Sequence, residues 1–94
     1  MERLTEDEKA LQAQVPIGAI FRHYKGREYK VLHIGLHTEG LELMVVYQGL
    51  YDCPDFGSYP VWIRPLTHFL ESVEVEGTAA PRFTLTHEPS AIHE

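Results

Sequence analysis

The change of hydrophobic period at Gly18 constrains this chain most. Before it, the residues follow a helical pattern. After it, short runs of β-branched and aromatic residues alternate with turn signals as far as residue 86. Thr5-Glu6-Asp7-Glu8 has the form of a capping box, a Thr N-cap with Glu three residues on. Lys9 to Gln14 are good helix formers, and Pro16 and Gly18 end the pattern. The sequence therefore predicts a helix over 6–14. Only Leu4, Leu11 and Val15 offer it apolar area, so weak docking is expected.

Beyond Gly18 the expectations are mostly strands. Residues 19–24 form the first, followed by a Lys25-Gly26-Arg27 turn. Residues 29–38 form the second, with Leu32, Ile34 and Leu36 on one face and Val31, His33, Gly35 and His37 on the other. Glu39-Gly40 turns the chain into 42–51, whose apolar residues on both faces suit a central strand. Residues 52–60 hold two prolines and a glycine and are expected to be a loop. Strand 61–64 ends at Pro65, a helical turn covers 67–72, and 73–76 suits an edge. Residues 77–81 are expected to be a loop and 82–86 a last strand. The fold class is all-β: a small SH3-like barrel of about five strands, with a short N-terminal helix and a one-turn helix near the end. An OB-like barrel generally takes a longer chain. The expected boundaries are an extension over 1–16, a β-domain over 17–86 and a tail over 87–94.

Ninety-four residues leave no room for a second independent core. Fourteen acids against eight bases give a net charge of -6, which weighs against a wholly electrostatic nucleic-acid binder. The acids concentrate at the two ends. Residues 15–69 are neutral, and four of their five bases fall between 22 and 30. A single cysteine cannot form an internal disulfide, so a reducing cytoplasm is expected. The first 14 residues lack the apolar stretch of a signal peptide, and no run approaches the ~20 apolar residues of a membrane helix.

Several motifs stand in order between 18 and 83: Phe21-Arg22-His23-Tyr24-Lys25-Gly26, His37-Thr38-Glu39 with Glu42, Val45-Val46-Tyr47, and Trp62-Ile63-Arg64-Pro65-Leu66 with Phe69. In these the chain resembles the bacterial family catalogued as domain of unknown function 1653. The resemblance implies a compact cytoplasmic β-domain and no particular reaction. Phe21 stands where that family has Tyr, Gly40 replaces a Thr, His68 replaces a Met, and the 52–60 segment is longer.

Three constellations carry possible chemistry. Arg22 to Lys30 interleaves bases with aromatics, a pattern that grips phosphates and stacks bases. The same residues serve equally as a solvated hairpin guarding a strand edge. His37, Thr38 and Glu39 with Glu42 gather metal-ligand and acid-base types, and also suit a hydrogen-bonded turn. His33 and His37 lie ~13 Å apart along a strand and cannot share one ion unless the strand breaks. Tyr24, Tyr47, Tyr51 and Trp62 with Arg64 could wall a groove or fill the core. Arg64 is expected to pair with Glu39 or Glu42, or else to bind an anion. Cys53, between Asp52 and Pro54, is expected to be a poor nucleophile.

No phosphate loop, dinucleotide fingerprint, nucleophile elbow or C-x-x-C pair is present, so no cofactor and no resident metal are assigned. The expectation is a non-enzymatic module that binds a small polar ligand or a protein. Its expected surface comprises Arg22, Tyr24, Tyr47, Tyr51, Trp62 and Arg64, rimmed by His37 and Glu39. A nucleic-acid accessory domain using 22–30 and a small metal-dependent enzyme using His37, Glu39 and Glu42 are the alternatives.

Overall fold

The structure, a computed structural model, describes residues 5–89. Leu4 and the 90–94 part of the expected tail lie outside the described residues. Helix α1 spans Glu6–Ala13, and its capping box forms as the sequence predicts: the Thr5 hydroxyl accepts from the Glu8 amide and the Glu8 carboxylate accepts from the Thr5 amide. No residue of α1 is buried, and Leu11 only touches the core. The segment after the helix contributes more, since Val15 and Ala19 are both buried.

The main sheet is a five-stranded antiparallel array of β1 (Ile20–His23), β2 (Glu28–Leu36), β3 (Leu43–Gly49), β6 (Val61–Pro65) and β9 (Phe83–His87), in the order β6-β3-β2-β1-β9. Strand β3 is interior, and its buried residues Leu43, Val45 and Tyr47 alternate with half-buried ones. Strands β6 and β9 are the two edges. No ladder joins them among the described residues, so the sheet is open and the expected closed barrel is not formed. The two edges approach through side chains instead, with the Arg64 guanidinium 5.7 Å from the centroid of the Phe83 ring.

One face assignment is corrected. The β2–β3 register slips between Val31 and His33, so Leu32 is an extra, bulged residue. Val31 thereby shares the core face with Ile34, opposite Tyr47 and Val45 respectively, and is fully buried.

Two expected loops carry short ladders. Within 52–60, β4 (Asp52–Cys53) pairs with β5 (Gly57–Ser58). Residues 72–81 form a separate hairpin of β7 (Ser72–Val75) and β8 (Thr78–Pro81). Glu76 and Gly77 at its tip both have positive φ, the signature of a turn whose twist matches the strands. That hairpin pairs with itself and not with the main sheet, so 73–76 is not an edge of the latter.

Helix α2 (Leu66–Phe69) starts where Pro65 ends β6 and buries Leu66 and Phe69 against the sheet. Phe69 stacks on Phe83 with centroids 4.1 Å apart and meets Phe21 and Tyr47 edge-on. Each such side chain contributes about 1.5–3 kcal/mol of burial. An aromatic layer is thereby fixed under the seam between β6 and β9.

Candidate functional site

A pocket of about 190 Å³ opens where the two edge strands approach. Strand β6 supplies Trp62 and Arg64, two residues apart and so on one face. Tyr47 lies directly across from Trp62 in the ladder. At the other edge, His23 of β1 pairs in register with Phe83 of β9. Tyr29, at the start of β2, and Tyr51, just after β3, complete the wall.

Gly49 shapes this wall. A Cβ there would lie 2.5 Å from Cε2 of Tyr51, so the Tyr51 ring can lie against β3 only because residue 49 has no side chain. The hydroxyls of Tyr29 and Tyr51 are 3.2 Å apart, and their rings meet edge-on. Burial and the hydrogen bond with Tyr51 push the Tyr29 hydroxyl well above its ordinary pKa of 10.0, so it stays protonated. On the outer side, the Arg27 guanidinium sits 4.3 Å from the Tyr51 ring centroid.

The polar groups facing this pocket are mainly donors. Arg64 Nε donates to the Tyr47 hydroxyl at 3.0 Å. Arg64 forms no ion pair among the described residues, so the expected pairing with Glu39 or Glu42 is not made. The Trp62 Nε1–H is buried and meets no acceptor among the described residues. An orphaned donor of this kind costs about 1–3 kcal/mol. His23 Nδ1 accepts the Lys25 amide at 3.1 Å, which leaves Nε2 to carry the proton of the neutral ring. Desolvation lowers the His23 pKa below 6.5, helped by the positive charges of Arg64, Arg82 and Lys25, so the ring is neutral at pH 7. Among the described residues no carboxylate lines the pocket.

Residues 19–85 match the family described as protein of unknown function (DUF1653). The chain belongs to this family. A crystal structure of a DUF1653 protein from Bordetella bronchiseptica is similar, with a TM-score of 0.68 and 29% identity over 84% of this chain and 97% of that one. No curated protein matches. The departures from the family pattern lie outside the pocket: Phe21 is buried in the core, while Gly40 and His68 are exposed.

Of the eight site residues expected from sequence, Tyr47, Tyr51, Trp62 and Arg64 converge on the pocket, and the other four do not line it. Arg22 is exposed and approaches Glu28 at 3.8 Å. Tyr24 is exposed and packs on the outside of His23. His37 and Glu39 sit in the exposed β2–β3 turn, where the His37 ring accepts the Glu39 amide. Among the described residues no three His, Cys, Asp or Glu side chains gather to hold a metal ion, so His37, Glu39 and Glu42 do not assemble a metal centre. No helix among them is long and apolar enough to cross a membrane.

His23, Tyr29 and Phe83 were missed as site residues. Tyr29 was within reach of sequence reasoning, because a hairpin around Lys25-Gly26 places it opposite Phe21. Phe83 carried no local signal, since the β1–β9 pairing alone brings it to the pocket.

Proposed function

We propose that this chain is a non-catalytic binding module whose seam pocket takes a small anionic ligand. One observation carries the reading: the half-buried Arg64 guanidinium faces an aromatic pocket with no carboxylate to neutralise it. A guanidinium with no carboxylate beside it offers charge-assisted hydrogen bonds to an anion. The same charge argues against a cationic ligand in the aromatic cage, because like charge would oppose it.

The remaining groups support binding over catalysis. Among the described residues the lining offers no serine, cysteine or carboxylate as nucleophile or acid-base partner for His23. The hairpin that suggested nucleic acid has its two arginines engaged within the chain, Arg22 with Glu28 and Arg27 with Tyr51.

A thermal-shift screen of the full chain against acetate, benzoate, inorganic phosphate and nucleoside monophosphates tests the reading. A ligand that binds the folded state raises the midpoint by mass action. At least one anion should raise it, and Arg64→Gln should abolish that rise. A midpoint unmoved by every anion would defeat the reading.

A further inference from the structure

The pocket is specific enough to define the chemical class of its ligand, given that it is an anion site at all. We infer that the ligand is a flat aromatic ring bearing a single carboxylate. Size comes first. A cavity of roughly 150 Å³ accommodates one benzene ring. The 190 Å³ here matches a single ring with one small substituent and is small for a whole purine nucleoside.

Shape comes second. Tyr29, Tyr47 and Phe83 form a mutually edge-on set, with centroids 5.3 to 5.7 Å apart. Walls set at such angles offer a flat ring both faces and edges, the two favourable aromatic geometries.

Charge comes third. Among the described residues Arg64 is the one formal charge in the lining, because His23 is held neutral by desolvation and by the neighbouring cations. One fixed positive charge balances a monoanion. A phosphate dianion would call for a second cation or for a cluster of backbone amides at a helix start. The lining provides neither, since all its residues lie in or beside strands.

The donors come fourth. The terminal N–H groups of Arg64 meet no protein acceptor among the described residues and stay open to solvent. A carboxylate has two oxygens, each able to accept more than one hydrogen bond. One bound carboxylate would accept from both terminal nitrogens of Arg64, and its ring would face the tyrosines.

The test is isothermal titration of the full chain with benzoate. The comparison probes are benzamide, cyclohexanecarboxylate and inorganic phosphate. Benzoate should bind one to one. Benzamide, which keeps the ring and loses the charge, should bind at least about tenfold more weakly, as expected for losing a charge-assisted hydrogen bond. Cyclohexanecarboxylate, which keeps the charge and loses the flat ring, should also bind more weakly. Arg64→Gln should abolish benzoate binding. Trp62→Phe, which keeps one aromatic ring and removes the pyrrole part of the indole from the pocket wall, should weaken it several-fold while leaving the circular dichroism spectrum unchanged.

Location is read separately. Bound benzoate should raise the pH at which the His23 ring signals titrate, because an adjacent anion favours the imidazolium. Phosphate binding equal to or tighter than benzoate, and lost in Arg64→Gln, would overturn the carboxylate assignment and leave the anion site standing. If none of the anions bound, both conclusions would fall. Benzoate binding that ignored both Arg64→Gln and Trp62→Phe would also overturn the inference.

Discussion

Two hairpin turns in this chain are built alike and do different things. After β1, the His23 ring accepts the amide of Lys25 at 3.1 Å. After β2, the His37 ring accepts the amide of Glu39, also at 3.1 Å. Each histidine holds its own turn by the same local bond. His37 stands exposed, whereas His23 packs on Phe83 with centroids 4.9 Å apart and has its pKa depressed. The turn is thus a property of a few consecutive residues, and the site is a property of what distant strands deliver to that turn.

Removing Phe83 should break the contrast most severely. Phe83→Ala deletes the ring that stacks on Phe69 and lies against both His23 and Arg64. It should cost about 3–5 kcal/mol in denaturant unfolding. Where the variant still folds, His23 should titrate closer to 6.5, because the desolvation that lowers its pKa is relieved.

Gly49→Ala should come next. Its methyl group would collide with the Tyr51 ring and displace one wall while leaving every polar group of the pocket intact. A loss of about 1–3 kcal/mol is expected from overpacking, together with weakened anion binding. Unchanged stability and binding would show that Tyr51 is not held by this contact.

The two histidines can then be compared directly. His23→Ala should cost about 2 kcal/mol, because packing against Phe83 and Tyr29 goes with the turn bond. His37→Ala should cost below about 1 kcal/mol, the worth of a single exposed hydrogen bond. Equal losses would mean that the aromatic packing of His23 contributes nothing.

The smallest expected effect is on pH dependence. The His23 pKa is lower in the folded chain than in the unfolded one, so the unfolded chain binds more protons between the two values. The stability contributed by neutral His23 is therefore fully present above pH 6.5 and is lost as the pH falls through the folded value. His23→Asn should flatten that slope in denaturant unfolding measured across this pH range.

The same contrast explains what was legible in the sequence. The capping box, the strand-rich middle and the helical turn at Leu66 rest on neighbouring residues, and each appears close to its expected position. Tyr47, Tyr51, Trp62 and Arg64 were legible because large aromatics and a lone base stand out within strands. His37 and Glu39 were chosen by residue type alone, and nothing in a turn's sequence tells whether another strand will cover it. The partner of Arg64 was misassigned for a related reason. Sequence places acids within a plausible range, but register decides which side chains meet. Closure of the barrel failed similarly, because whether two edges pair depends on the accumulated twist of five strands.

The bulge at Leu32 has a consequence for how this fold tolerates change. Side chains along a strand alternate, so one additional residue reverses the parity of everything after it. On β2 the odd-numbered Tyr29 and Val31 face the core before the bulge, and the even-numbered Ile34 does so after it. What the chain encodes at this point is a count more than an identity. Deleting Leu32 would remove the bulge and keep Val31 opposite Tyr47 and His33 opposite Val46, whereas deleting any other single residue of β2 would put one half of the strand out of phase with β3.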